Sequence, residues 1–144
     1  QDARMIRDRI VPLIIALLVA LAGCGCASTG DRPEITYSTL PTREVQGVYP
    51  MEFAHVHATC QEVLRNALGF NSVNSTKDDT TGRGRIDATD ADGASVRIET
   101  ERSRNLESTS VRALAVEPGA TEANAERAKA ILQQIENSLW PAGT

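Results

Sequence analysis

Residues 83–102 read RGRIDATDADGASVRIETER, and this stretch decides the fold. Its centre, Asp90-Ala91-Asp92-Gly93, suits a type I turn followed by a left-handed glycine, which is the three-residue hairpin loop that contains a bulge. In that register Ile86 lies opposite Ile98. A two-residue Asp92-Gly93 loop would place Ile86 opposite Glu99 and would mix apolar and charged side chains on each face. The stretch therefore predicts an antiparallel hairpin with one apolar and one charged face.

The charged face of this hairpin is predicted to carry cross-strand ion pairs, namely Arg83 with Glu101, Arg85 with Glu99, and Asp87 with Arg97. A following strand, 108–116, extends the meander and places Arg112 opposite Glu99. A preceding strand, 70–76, is predicted to pair with Val73 opposite Ile86. This face is either a solvated surface or a docking surface for a partner, whose candidate residues are Arg85, Arg97, Glu99 and Arg112.

Two amphipathic helices flank the strands. Residues 51–68 and 121–139 repeat apolar residues at helical spacing, with Gly69 suited to end the first helix and Thr121 to cap the second. Cys60 lies on the apolar stripe of the first helix. The sequence predicts an α+β two-layer sandwich of order α-β-β-β-β-α, an antiparallel meander of about four strands with two helices on one face.

The N-terminal segment, residues 1–23, is typical of a signal peptide. Basic residues after Met5, a candidate start, precede an uncharged apolar run from residue 10 to residue 23. A membrane-spanning helix needs about 20 apolar residues, and this run is shorter. The segment is therefore interpreted as an export signal rather than a permanent anchor.

The end of this run, Leu21-Ala22-Gly23-Cys24, resembles the lipobox of bacterial lipoprotein precursors. The resemblance implies cleavage between Gly23 and Cys24, diacylglycerol on the Cys24 sulfur and, in many bacteria, acylation of the new amine with a chain such as palmitate. Gly25, where an aspartate would imply retention in the inner membrane, favours the outer membrane in a cell that has both. The alternative is ordinary signal peptidase cleavage after Ala22, which would release a soluble protein.

Residues 24–50 are interpreted as the lipidated cysteine and a flexible spacer, because glycine and proline recur among serine and threonine there. One of its short apolar pieces is a candidate edge strand. The domain is assigned to residues 51–144. Over residues 51–139 it resembles a family of small uncharacterised bacterial lipoproteins, through Ala-Leu-Gly-Phe at the end of the first helix and the Asp92-Gly93 hairpin. That family implies no activity, cofactor or catalytic residue.

Composition and motifs exclude several classes of protein. The net charge is −4 and aromatic residues make up 3% of the chain, which disfavours nucleic-acid binding. His55 and His57 are two residues apart and cannot share a helix face, so with Cys60 they make a poor metal or catalytic set. Asp90, Asp92, Gly93 and Glu99 match part of a calcium loop but are better explained by the hairpin.

No catalytic residue, metal site or cofactor is therefore predicted. The expected function is that of a lipid-anchored, non-enzymatic cell-envelope protein that binds an envelope protein or a cell-wall partner. The alternative is a small-ligand-binding module with a cleft between the helices and the sheet.

Overall fold

The structure is a computed structural model, and it describes residues 32–142. The predicted signal peptide, the predicted lipobox with Gly23 and Cys24, and Cys26 lie outside the described residues. Of the two compact units into which the chain divides, Glu34–Thr144 contains the elements described below. These are β1 (Ser38–Thr39), β2 (Val45–Tyr49), α1 (Phe53–Glu62, continued by a π-helical turn, Val63–Ala67), β3 (Ser72–Asp78), β4 (Arg83–Thr89), β5 (Ser95–Arg102), β6 (Thr109–Val116) and α2 (Ala125–Leu139).

The strands form one antiparallel sheet in the order β1-β2-β6-β5-β4-β3. Its central hairpin has the predicted register, with Ile86 opposite Ile98 on β4 and β5. At the turn, the backbone N–H of Gly93 donates to the Asp90 carbonyl at 3.1 Å. Gly93 has a φ of 96°, the left-handed conformation that the loop type requires. The next register is also confirmed, because Glu99 lies opposite Arg112.

The predicted register of β3 is wrong by two residues. Val73 pairs with Ala88, and Ser75 rather than Val73 lies opposite Ile86. The strand continues to Asp78, whose carbonyl accepts a hydrogen bond from Gly82 N at 2.9 Å and closes a short turn. A shift of two residues leaves every side chain on the same face, so the apolar pattern does not distinguish the two registers.

The sheet has six strands rather than about four, because the segment interpreted as a spacer contributes β1 and β2. Strand β2 pairs along its whole length with β6, and Val45 and Tyr49 are fully buried. The predicted domain boundary at residue 51 is therefore too far along the chain. One candidate edge strand was expected in this segment and the structure has two, because the apolar residues that would signal them are few and stand among turn-forming residues.

Both helices carry the predicted apolar stripes, but their bounds differ from the predicted ones at both ends of α1 and at the start of α2. The α-helical part of α1 stops at Glu62 and a π-helical turn follows, before Gly69 adopts a left-handed φ of 69°. Helix α2 begins at Ala125 rather than Thr121. Its cap is Asn124, whose side-chain oxygen accepts from Arg127 N at 3.1 Å.

The core lies between the two helices and one face of the sheet. Apolar residues at alternating positions of the strands, among them Ile86, Ile98 and Ala113, form one core with the helix stripes. Helix α1 packs over β4 and β5, and α2 packs over β2 and β6. Cys60 is fully buried in this layer, which confirms its predicted place in the core. The other face of the sheet carries the charged residues, so the α+β architecture separates the stabilising face from the charged one.

Candidate functional site

The open face of the sheet brings the four predicted docking residues together. Arg85, Glu99 and Arg112 stand side by side in one cross-strand row, on β4, β5 and β6. Arg97 lies two residues before Glu99 on β5, in the next row, where it is opposite Asp87. Because antiparallel pairing sets these rows, the side chains come from three strands and share one surface.

Two clusters of ion pairs organise this face. Asp87 is held by Arg85 Nε at 2.8 Å and by Arg97 Nε at 3.3 Å. Arg112 joins Glu99 to Glu44, contacting Glu99 through Nη2 and Glu44 through Nη1, the latter at 3.8 Å. Arg85 thus pairs with Asp87 on its own strand, and the predicted Arg85–Glu99 pair is replaced by the Arg112–Glu99 pair.

The electrostatics follow from these contacts. The hydrogen bond from Arg85 lowers the pKa of the Asp87 carboxyl. Burial opposes this lowering, and the weaker effect of the hydrogen bond from Arg97 adds to it. The pKa of Arg85 is raised, chiefly by the same hydrogen bond. The three arginine side chains of these clusters are 43–49% exposed. Such exposed pairs contribute about 0–1 kcal/mol each to stability, so their energetic weight in the fold is small.

A shallow concavity of about 320 Å³ lies on this face. Its charged and polar lining comes from Arg83, Arg85, Glu99, Glu101, Ser110 and Arg112. Guanidinium groups can bind carboxylate or phosphate through two parallel hydrogen bonds, while the carboxylates can accept from cations. The arrangement can therefore recognise a partner that carries both signs of charge.

Two apolar side chains extend the open face at one end. Leu114 and Val116 of β6 are half-buried and line a smaller concavity of about 130 Å³ together with Arg97 and Asp87. Both side chains share the face of Arg112, because they lie two and four residues after it on β6. They give the charged surface an apolar margin.

His57 occupies a buried polar site between α1 and the sheet. Its Nδ1 is 2.9 Å from Thr100 Oγ1 and its Nε2 is 2.7 Å from Ser75 Oγ. Burial lowers the pKa of His57, Lys77 acts in the same direction and Asp79 opposes it. Both ring nitrogens of His57 therefore have hydrogen-bond partners within the fold. Its two partners come from strands remote in sequence, so no local signal identified them.

The remaining candidate groups do not meet. His55 is exposed, whereas Cys60 is buried and its pKa is raised by burial to about 12. Within residues 32–142, no group of three His, Cys, Asp or Glu side chains is placed to hold a metal ion. The Asp90 and Asp92 carboxylates bond to backbone N–H groups of their own turn, at Ala91 and Ala94.

The anchor residue Cys24 lies outside the described residues, so the lipobox remains a prediction from sequence. Among the described residues, no helix is long and apolar enough to cross a membrane.

The fold and its open charged face define an α+β protein with one six-stranded antiparallel sheet and two helices. A comparison with models of known protein families found no match, and a comparison with curated proteins found none either. The resemblances to bacterial lipoproteins therefore stay predictions that rest on the residues quoted above.

Proposed function

We propose that this chain is a lipid-anchored cell-envelope protein whose domain binds a protein or cell-wall partner through the open face of its sheet, without catalysis. The anchor is Cys24, at the end of the lipobox Leu21-Ala22-Gly23-Cys24. Lipid on this cysteine would hold the protein at a membrane surface, with the outer membrane favoured over the inner one.

One observation carries the docking proposal. The two helices cover one face of the sheet, while the face with Arg85, Arg97, Glu99 and Arg112 is covered by no described element. Partner surfaces of opposite charge pattern would steer towards such a face and be held in register by it.

The anchor is tested by mass spectrometry of the N-terminal peptide of protein purified from both the membrane and the soluble fractions of the cell. The expected peptide begins at Cys24 and carries two or three acyl chains. Cys24→Ala should abolish lipid labelling. An unmodified peptide that begins at Gly23 would instead establish cleavage after Ala22 and a released protein.

The docking face is tested with two matched double variants of the full chain. Arg85→Ala/Arg112→Ala removes two cations from the face, and Arg127→Ala/Lys129→Ala removes two exposed cations from α2. Each protein is compared with wild type for binding to isolated cell walls and for partners cross-linked in intact cells. The face variant should lose a partner that the α2 variant keeps. Equal recovery by both variants would contradict docking through this face.

If the domain binds a small ligand, the candidate site is not the predicted cleft between the helices and the sheet. The layer between helices and sheet is filled by core side chains, whereas the concavity of about 320 Å³ lies on the open face. A volume near 300 Å³ is at the lower end for ligand pockets, and such pockets are mostly apolar, unlike this lining. A ligand that raises the melting temperature of wild type but not of Arg85→Ala/Arg112→Ala would favour this alternative.

A further inference from the structure

The two most exposed large hydrophobic side chains of the domain lie at one end of the sheet. Among residues 32–142, the large hydrophobic residues with the most exposed surface are Leu106, at 63%, and Val48, at 49%. Val48 pairs with Ser110, next to the last pair of β2 and β6, and Leu106 lies in the loop that leads into β6. The two residues therefore belong to the same end of the sheet.

The loop that carries Leu106 is well ordered by its own hydrogen bonds. Ser103 N donates to the Ser108 carbonyl at 2.9 Å, and Leu106 N donates to the Ser103 carbonyl at 3.1 Å. Leu106 has a φ of 64°, a conformation that glycine or asparagine adopts with less strain. Neither the backbone conformation nor the core explains a leucine here, so its use points to an external contact.

The chain enters the domain at this same end. Strand β1 runs antiparallel to β2, with Ser38 opposite Gln46, so the residues before Ser38 run alongside the end of β2. Tyr37 secures this entry, because its hydroxyl donates to Glu136 Oε1 at 2.7 Å and its ring fills the space beside Gly47. Trp140 packs half-buried against Tyr49 at the end of β2.

The length of chain before this entry limits the orientation of a lipid-anchored domain. Nine residues lie between Cys24 and Glu34, and the ten residue steps span at most about 35 Å when fully extended. Strand β5 has eight residues and is about 26 Å long. If the opposite end of the sheet faced the bilayer, most of the length of the tether would be needed to span the length of the domain. The entry end is therefore the one that a short lipid tether holds towards the bilayer.

From this juxtaposition we infer that the sheet end formed by Leu106, Val48 and Trp140 rests on the lipid surface. The inference relies on the proposed lipid anchor. Arg104 and Glu107 flank Leu106 with opposite charges, so the contact is apolar and does not depend on anionic lipid. Tryptophan at the margin of this end suits the interface between headgroups and acyl chains.

The test uses the full chain, purified from cells as processed there and mixed with phosphatidylcholine vesicles, with Cys26→Ser so that one cysteine can be labelled. An environment-sensitive fluorophore is attached at Leu106→Cys or, as the matched control, at Ala91→Cys in the exposed turn at the other end of the sheet. Cys60 is fully buried and should not react. Nitroxide lipids should quench the label at 106 at least twofold more than the label at 91, equally in low and high salt.

Flotation of the vesicles separates the two proposals. Protein that does not float with the vesicles would overturn the anchor and this inference together. Protein that floats but shows equal quenching at 106 and 91 would overturn only the inference and leave the anchor standing. Preferential quenching at 106 that disappears in high salt would also overturn it, because an apolar contact does not weaken with salt.

Discussion

Gly84 on β4 offers the sharpest test of the buried contact between α1 and the sheet. A Cβ atom at this position would lie 2.5 Å from His57 Nδ1 and 2.5 Å from Thr100 Oγ1. Ordinary van der Waals contact begins at 3.4 Å, so the Gly84→Ala substitution requires a displacement of about 1 Å. The side chains that must move are His57 and Thr100, which are hydrogen-bonded to each other. A shift of the imidazole therefore breaks its hydrogen bonds.

The expected cost follows from these contacts. The His57 ring bonds to Thr100 at 2.9 Å and to Ser75 at 2.7 Å, and a shift of this size takes both distances beyond hydrogen-bonding range. Each lost bond costs about 1 kcal/mol. Overpacking adds about 1–3 kcal/mol, and the removal of a glycine from the unfolded chain returns about 0.4–1 kcal/mol. Gly84→Ala should therefore lower the free energy of unfolding by about 2–5 kcal/mol.

The assay is urea denaturation followed by circular dichroism, as a double-mutant cycle with His57→Ala. Removal of the ring makes room for the new methyl group and frees Thr100 to rotate. In the His57→Ala background Gly84→Ala should therefore cost less than about 1 kcal/mol, with a coupling energy above about 1 kcal/mol. An equal cost in both backgrounds would refute the reasoning, because it would show that His57 does not fill the space beside Gly84.

Three further predictions concern His57, Tyr37 and Cys60. Because burial lowers the pKa of His57 below 6.5, the unfolded chain binds the proton more readily, and stability should fall as pH drops from about 6.5 towards the folded pKa; His57→Gln should flatten this pH dependence in urea melts. Tyr37→Phe removes the hydroxyl bonded to Glu136 and should cost about 1–2 kcal/mol, whereas a change below 0.5 kcal/mol in thermal unfolding would show that this bond is unimportant. Cys60→Ser places a hydroxyl in the core and should cost about 1–2 kcal/mol, and the native thiol should resist a thiol reagent until the protein unfolds.

The central part of the sheet was predictable because local and long-range signals agree there. The Asp90–Gly93 turn specifies a loop type, and that loop type fixes the alignment of Ile86 with Ile98. A one-residue error would bury charge, so the faces enforce the register as well. At β3 the burial of charge does not distinguish the registers, because a two-residue shift of Val73 buries nothing charged. The geometry of the turn at Gly82 then fixes the register.

The edge of the sheet was harder to predict, because its stability comes from tertiary contacts. Strand β2 has only five residues, and its central residue is Gly47, which has no side chain to signal a strand. Gly47 is required there for a reason that only the fold shows, since a Cβ atom would lie 2.8 Å from the Tyr37 ring. His57 is similar, because its partners Ser75 and Thr100 meet it only after the sheet has formed.

The open face differs from the covered face in what its residues contribute to stability. The covered face buries Ile86, Ile98 and Ala113, and each large apolar side chain there contributes about 1.5–3 kcal/mol. The exposed ion pairs of the open face contribute about 0–1 kcal/mol each, which many polar residues could match. Its cations on β4, β5 and β6 are all arginines, the side chain that retains further donors for a carboxylate or phosphate after one ion pair has formed. Stability therefore leaves the composition of this face largely free, and under the proposed function its arginines are the groups that a partner would recognise.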